Sequence, residues 1–193
     1  MSNRFDDQIR VTGENLRGLA HPLRVRLLGL LRTYGPATAT SLAAELGLTS
    51  GALSYHLRQL ARYGFIVEDA ERGNRRERWW RAAHARTLFE MDDGAEAAIY
   101  EDAVVAAVTA GIGRARAVRE DLPLEWRRIY NFSDVLLRLT ADEAAALGND
   151  LTELLQSYRQ HVPGELPPVG SRLVSAQFQI FPVPPAENLP SGS

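Results

Sequence analysis

The feature that most constrains the fold is a pair of short amphipathic helices, predicted within residues 42–66 of this 193-residue chain. The first helix should end at Gly47, because glycine readily adopts the left-handed conformation that closes many helices. Thr49 or Ser50 can then cap the second helix, which should end at Gly64. Two short helices joined by such a tight turn have the spacing of a helix-turn-helix.

Apolar residues at spacings of three and four predict further helices before this pair. One covers the region around Leu16, and the next begins at Pro22, because the first position of a helix does not need the amide that proline lacks. That helix should end near Tyr34. Thr38 or Thr40 can cap the helix that follows. Residues 1–11 are expected to be poorly ordered.

The second helix of the pair has two chemically different faces. On a 3.6-residue wheel its leucines fall together on one side, which should pack on the preceding helices. The opposite face carries small, hydroxyl, aromatic and basic residues: Gly51, Ser54, Tyr55, Arg58 and Arg62. Such side chains can approach DNA closely, bind phosphates and read base edges, with Arg58 able to reach guanine. An ordinary solvated polar face is the alternative interpretation.

A β-hairpin is predicted after the pair, with a strand from 65–67, a turn at 72–75 and a returning strand at 76–82. Trp79 and Trp80 should lie on opposite faces of that strand, one of them in the core. The region is rich in arginine, namely Arg72, Arg75, Arg76, Arg78, Arg81 and Arg86. A basic hairpin tip can follow a phosphate backbone or enter a narrow minor groove. The alternative interpretation is a run of charged residues that contacts only solvent.

Composition limits the remaining possibilities. The chain has no cysteine, which excludes disulfides, thiolate metal sites and thiol nucleophiles. No run of apolar residues is long enough to span a membrane, and no signal peptide is recognisable, so a cytoplasmic protein is expected. The net charge of −2 is unevenly distributed, since residues 1–86 are basic and residues 87–193 acidic. A basic half suits a polyanionic partner, although two domains with unrelated surface charge would look the same.

Two sequence patterns carry a resemblance to a known family. The pattern L-x-x-L-A-x-P-x-R-x-x-L-L is matched by Leu16, Leu19, Ala20, Pro22, Arg24, Leu27 and Leu28. The pattern S-x-H-L-x-x-L-x-x-x-G-(L/F)-(I/V) is matched by Ser54, His56, Leu57, Leu60, Gly64, Phe65 and Ile66. Over about residues 12–84 the chain therefore resembles the ArsR-type winged helix-turn-helix repressors.

The resemblance implies a homodimer on a pseudo-palindromic operator of double-stranded DNA. Ser50, Gly51, Ser54, Tyr55 and Arg58 would then face the major groove. Thr38 and Thr40 would contact the backbone, and the tip between Arg72 and Arg78 would form the wing contact. The metal ligands of sensing members have no counterpart, because residues 37–42 offer no thiol and residues 88–119 no histidine. Metal sensing is therefore not expected.

The second half reads differently. A long helix over residues 92–119 is predicted to supply much of the dimer interface, with Gly111 and Gly113 as points of weakness. A strand over 133–139, a helix opened by a Thr140 capping box, and a strand over 173–183 should follow. The aromatic residues of this half are expected to pack in a core, with an apolar ligand pocket or a dimer seam as alternatives: Trp126, Tyr130, Phe132, Phe178 and Phe181.

The sequence thus predicts a mainly helical α+β protein and a DNA-binding transcriptional regulator, expected to be a repressor. The predicted divisions are a winged helix-turn-helix domain at 12–86, a dimerisation helix at 88–120, an α+β domain at 121–183 and a disordered tail at 184–193. A small-molecule effector at the C-terminal domain is a further hypothesis. No catalytic residue, cofactor or metal site is predicted. The alternatives are a module that docks an acidic protein, and an enzyme within residues 88–193.

Overall fold

The computed structural model describes residues 8–11, 13–72, 77–89 and 95–184. These residues fall into two units that divide after Tyr130. Helices dominate, and the strands form two small sheets. This architecture confirms the predicted α+β class with an N-terminal helix-turn-helix. The predicted tail lies outside the described residues, apart from its first residue.

Four helices open the first unit, and their ends follow local signals in the sequence. They are α1 (Gly13–Leu16), α2 (Pro22–Tyr34), α3 (Ala39–Leu46) and α4 (Ser50–Arg62). Pro22 stands at the first position of α2, as predicted. Gly35 ends that helix with a φ of 85°, and its amide donates to the Leu31 carbonyl. Such a φ is strained for any residue with a side chain, so glycine sets where α2 stops.

Five short strands build the two sheets of this unit. They are β1 (Gln8–Val11), β2 (Ala37–Thr38), β3 (Ile66–Glu68), β4 (Trp79–Ala82) and β5 (Arg86–Phe89). In the three-stranded sheet β4 is central and antiparallel to both β2 and β3. β3 and β4 form the predicted hairpin, although β4 begins at Trp79 and residues 77–78 do not belong to it.

The second sheet pairs β1 with β5 in parallel, with Ile9 opposite Thr87 and Val11 opposite Phe89. The prediction of poor order at the N-terminus is therefore wrong for residues 8–11. The physical reason is that Val11 is fully buried, so the strand gains both a hydrogen-bonded partner and apolar burial. Residues 1–7 lie outside the described part of the chain.

A single cluster of buried side chains holds the helix-turn-helix together. Leu27 and Leu31 of α2 meet the leucines of α4, and Phe65 follows α4 into the same cluster. Trp80, 7% exposed, adds the hairpin to this core, as predicted for one of the two tryptophans. Because α2, α4 and the hairpin share one apolar centre, the orientation of α4 depends on all three.

The first unit ends with α5 (Ala95–Ala117), a short turn at Arg119–Asp121 and α6 (Leu124–Arg127). The predicted helix at 92–119 is confirmed in its central part, while residues 92–94 lie outside the described residues. Gly111 and Gly113 do not interrupt it, since the helix continues through both positions. Tyr130 donates a 2.8 Å hydrogen bond from its hydroxyl to the Ala115 carbonyl.

The second unit contains α7 (Ala141–Ser157), which begins at the predicted capping box. The Thr140 side chain accepts from the Glu143 amide, and Glu143 accepts from the Thr140 amide at 2.7 Å. These hydrogen bonds from Thr140 hold the pKa of the Glu143 carboxyl below its usual value.

Neither of the two strands predicted beside α7 is formed within the described residues of a single copy. Residues 133–139 and 173–183 join no sheet there, so for one copy the expected strand–helix–strand arrangement is wrong for its strands. A strand needs a backbone partner as well as an alternating pattern, and neither segment has one within the described ranges. The expected aromatic core is also wrong here, because Phe132 and Phe181 are 66% and 71% exposed.

Gly18 marks the closest approach between the α1–α2 connection and the end of α4. A Cβ at this position would lie 2.6 Å from Phe65 Cε2 and 2.6 Å from Tyr63 Cβ. Gly18→Ala is expected to lower the free energy of unfolding by about 1–3 kcal/mol, because the backbone must shift to relieve the overlap. Chemical denaturation followed by circular dichroism measures this loss.

Gly29 provides the matched control for that substitution. A Cβ there would meet no atom within 4 Å, and the residue lies inside α2. Gly29→Ala should therefore leave stability unchanged or raise it by up to about 1 kcal/mol through helix propensity. Equal losses from the two substitutions would contradict the close approach at Gly18.

Candidate nucleic-acid interface

The position of α3 is set by a reciprocal cap at its N-terminus. Thr38 Oγ1 accepts from the Ser41 amide at 3.1 Å, and Ser41 Oγ accepts from the Thr38 amide at 3.0 Å. Thr38 is 5% exposed, so the structure gives its hydroxyl a capping role. Thr40, two residues further along, is exposed and accessible for a backbone contact.

The turn between α3 and α4 has the predicted chemistry. Gly47 ends α3 in the left-handed conformation, with a φ of 65°. Thr49 caps α4 by accepting a 3.4 Å hydrogen bond from the Ala52 amide. Among the described residues, no partner is found for the Ser50 and Gly51 amides. These two donors and the positive end of the helix dipole suit a phosphate.

The two faces of α4 are separated as predicted. Leu53, Leu57 and Leu60 are completely buried in the core of the first unit. On the other side, the Tyr55 side chain is 53% exposed, and Arg58 and Gly51 are exposed as well. A Cβ at Gly51 would meet nothing within 4 Å. The α4 surface therefore offers a close approach at its start and longer donors further along.

Ser54 shows how the polar face is arranged. Its hydroxyl donates a 2.8 Å hydrogen bond to the Ser50 carbonyl one turn earlier. The oxygen lone pairs stay free to accept from a base amino group. Arg62, near the end of α4, is exposed and lies with its guanidinium 5.8 Å from the Tyr63 ring centre.

The base of the wing holds its arginines in ion pairs. Arg78 Nε lies 3.1 Å from Glu68 Oε2, and the guanidinium is 5.6 Å from the Trp80 ring centre. Arg72 Nε lies 3.6 Å from Asp69 Oδ2. Because both arginine side chains are 58% exposed, these pairs contribute little stability and can be exchanged for phosphate contacts.

Arg75 and Arg76, predicted at the wing tip, lie outside the described residues. Their contact with DNA stays a prediction.

A polar cleft brings several of the predicted residues together. It has a volume of about 390 Å³ and lies where α3, α4 and the base of the wing meet. Its walls are formed by Thr38, Ala39, Thr40, Ser50, Ser54, Arg58, Glu77, Arg78 and Trp80. Residues from all three predicted contact regions thus share one surface. Gly51, Tyr55, Arg62 and Arg72 are not part of its walls.

Sequence reasoning missed three of these wall residues. Trp80 closes the cleft from the β4 side, Ala39 from the start of α3, and Glu77 adds a negative charge. The alternation of the returning strand could have placed Trp80 beneath the cleft, because positions 78 and 80 share a face. Glu77 gave no such signal.

A pair of histidines connects α2 with α4. The ring centres of His21 and His56 are 4.6 Å apart, and His21 Nδ1 accepts from the Leu23 amide at 3.1 Å. His56 Nδ1 is buried without a hydrogen-bond partner among the described residues. Burial, followed by the neighbouring Arg24 charge, lowers the pKa of His21, and burial, His21 and Arg24 together lower the pKa of His56.

This pair predicts a loss of stability in acid. A histidine whose pKa falls on folding contributes stability above its ordinary value of 6.5, and the contribution is lost as the pH falls below it. His56→Gln is therefore expected to flatten the dependence of the unfolding midpoint on pH between about 7 and about 5. Equal slopes in wild type and His56→Gln would contradict the prediction.

The described ranges hold neither a metal site nor a membrane-spanning helix. No group of three or more metal-ligating residues lies close enough together there to hold an ion. No helix in this part of the chain has the length and hydropathy needed to cross a membrane.

Comparison with known proteins gives one family match. Residues 19–69 match a helix-turn-helix domain, a range that contains α2, α3, α4 and β3. The chain therefore carries a helix-turn-helix domain, and this domain supports a DNA-binding transcriptional regulator. The match leaves most of the chain outside it, and the ArsR type is not identified by it. Among curated proteins, none is significantly similar to this chain.

Several solved structures share low similarity with the chain. A mutant of MarR from E. coli complexed with operator DNA is 22% identical, covering 74% of this chain and 84% of its own, with a TM-score of 0.29. Wild-type MarR from E. coli in its apo form is 21% identical, covering 74% and 88%, with a TM-score of 0.29. A mutant of ZitR from Lactococcus lactis in apo form is 12% identical, covering 76% and 86%, with a TM-score of 0.30. TM-scores at this level support no inference about function.

Proposed function

We propose that this chain is a cytoplasmic, sequence-specific transcriptional repressor of the ArsR type that binds double-stranded DNA as a homodimer. The observation that carries the proposal is the cleft shared by Thr40, Ser54, Arg58 and Arg78, on the face of α4 opposite its buried leucines. The proposal assigns the chain no catalytic activity, cofactor or metal.

The chemistry of the cleft suits one strand of a duplex and the adjacent groove. The amides at the start of α4 can bind a phosphate, which fixes the helix in register. Arg58, one turn beyond Ser54, is then placed to read a guanine edge in the major groove. Arg78 at the base of the wing would reach the neighbouring backbone.

The size of the DNA-contacting surface of one copy favours a homodimer. A single α4 contacts only one half-site, whereas two copies related by a two-fold axis read two half-sites about one helical turn apart. We assign α5 as the main part of the dimer interface. Its segment 103–113 contains no charged residue, although Val105 is 62% exposed and Ile112 is 37% exposed. An effector bound by the C-terminal domain would act by changing the spacing of the two α4 helices.

Selection of bound duplexes from a random pool, followed by salt titration, tests the function. The selected sequence should be an inverted repeat. Replacing Arg72 and Arg78 together by alanine should flatten the logarithmic salt dependence of binding by about two units, because two phosphates are then no longer neutralised. Replacing Arg128 and Arg159, two exposed arginines outside α4, α5 and the wing, is the charge-matched control and should not change the slope.

Two results together would contradict the regulator. The first is a pool without an enriched sequence, and the second is weak binding of equal salt dependence in wild type and both double variants. That combination would favour docking of an acidic protein partner.

A further inference from the structure

The segment 132–139, immediately before the Thr140 cap of α7, has no strand partner among the described residues. All its side chains are exposed, Val135 by 73% and Leu136 by 82%. It contains neither helix nor turn, and within the described residues no backbone hydrogen bond reaches residues 132–139. Unpaired backbone groups next to exposed apolar side chains are typical of a strand that pairs with another chain.

The sequence of this segment alternates as a strand does. Odd positions carry Val135, Leu137 and Leu139, while even positions carry Asp134, Leu136 and Arg138. In a strand the odd side chains share one face and the even side chains the other. One face is therefore apolar, and the other presents a leucine between an acid and a base.

The charges of Asp134 and Arg138 are placed symmetrically about Leu136. This arrangement fits a second copy of the same segment. When the segment pairs antiparallel with itself about Leu136, Asp134 lies directly opposite Arg138 of the second copy. The two-fold axis makes this ion pair twice. Opposite charges placed directly across two strands stabilise that register.

Other registers lose this complementarity. A shift by one residue moves the apolar residues to the wrong face, and a shift by two separates both charge pairs. Parallel pairing in register would place Asp134 beside Asp134 of the second copy, and like charges in that position are destabilising.

We propose that residues 133–139 of two copies pair as an antiparallel β-ribbon centred on Leu136, which joins the second units of a dimer. The inference rests on the homodimer of the proposed function but not on its DNA contacts. Pairing supplies the backbone partner that the predicted strand at 133–139 lacks among the described residues of one copy. It also places the apolar faces of the two strands side by side, so that Val135, Leu137 and Leu139 of both copies form a group of six apolar side chains.

The extent of exposed apolar surface agrees with a partner of this size. Within the described part of the second unit no residue is buried. Its exposed large side chains also include Leu166 at 96%, Val169 at 106% and Phe181 at 71%. A monomer rarely exposes a contiguous apolar patch of more than a few hundred Å², whereas a stable interface buries about 800 Å² on each partner.

Single cysteines test the register, because the natural chain has none. Leu136→Cys in the full chain should form an intermolecular disulfide on mild oxidation, since directly opposed strand residues lie within disulfide range. Val135→Cys and Leu137→Cys should cross-link poorly alone but efficiently when the two variants are mixed, because these positions oppose each other. Non-reducing electrophoresis measures each product.

Charge reversal provides an independent readout by sedimentation equilibrium. Asp134→Arg or Arg138→Asp alone should weaken self-association about tenfold, because two attractive pairs become repulsive. The double variant Asp134→Arg/Arg138→Asp should restore it. Asp150→Arg, on an exposed position of α7, is the matched control and should change nothing.

The outcomes distinguish this inference from the proposed function. A dimer that forms no disulfide at position 136, or cross-links equally at 135, 136 and 137, would overturn the ribbon and leave the regulator intact. Failure of the double charge variant to restore association would also overturn it. Cross-linking at 136 in a protein that selects no DNA sequence and binds DNA weakly, with equal salt dependence in all variants, would support the ribbon and contradict the proposed function.

Discussion

Phe65→Ala is expected to lower the free energy of unfolding of the helix-turn-helix unit by about 3–5 kcal/mol. Phe65 is completely buried, and its Cε2 lies against Gly18. Its amide donates to the Leu60 carbonyl at 3.0 Å, and its carbonyl accepts from the Ala83 amide at 3.0 Å. The residue therefore ties the end of α4 to the hairpin. Natural domains are stable by only about 5–15 kcal/mol, so this loss removes a large share of the total.

Urea denaturation followed by circular dichroism measures this effect. Phe181→Ala is the matched control, because the same ring is 71% exposed in the second unit, and surface substitutions usually change stability by less than about 0.5 kcal/mol. Similar losses from the two substitutions would mean that Phe65 is not the central residue of the core.

The second large effect is expected at Arg58. If its guanidinium binds a guanine edge, Arg58→Ala should weaken binding of the selected duplex by about 1–3 kcal/mol and relax preference at one base pair of each half-site. Fluorescence anisotropy with duplexes that carry single base changes measures both quantities. Arg159→Ala, an exposed arginine of the second unit, is the control and should leave affinity unchanged.

The pattern of weakening decides what Arg58 contacts. A uniform reduction across all duplexes, with an undiminished preference at every base pair, would show a phosphate contact and contradict base reading. The variant should fold as the wild type does, since Arg58 is exposed on the face of α4 opposite Leu53 and Leu57.

The helix-turn-helix could be predicted closely because its boundaries are local. Pro22 begins α2, Thr49 caps α4, and Gly47 adopts the positive φ that its position in the turn requires. Each of these signals acts within a few residues, so it is legible in one sequence. The buried leucines of α4 follow from helical periodicity in the same way.

Structure that depends on distant partners was predicted less well. The parallel pairing of β1 with β5 joins Ile9 to Thr87, and no local pattern indicates such a contact. Conversely, residues 133–139 have a strand pattern but lack a strand partner in the described part of the chain. The periodicity of apolar residues indicates which side chains of a segment share a face. Whether the segment pairs as a strand depends on the backbone that lies next to it, in the same molecule or in a second copy.

The candidate site shows the same division. The exposed face of α4 was predicted from one helix alone, and Ser54 and Arg58 do line the cleft. Thr38, one of the two predicted caps of α3, does cap it with its hydroxyl, while its contact with DNA stays a prediction. Trp80 lines the cleft because α3, α4 and the base of the wing meet there. The sequence does not specify that these three elements meet.

The most direct test of the DNA-docking geometry is cleavage from a single tethered reagent. Leu48 lies in the turn before α4 and is 46% exposed, so Leu48→Cys gives one attachment point for an iron chelate in a chain without other cysteines. With α4 in the major groove, cleavage of the selected duplex should centre on two major-groove sites about one helical turn apart. Cleavage spread evenly along the duplex, or centred on the minor groove, would contradict this placement of α4.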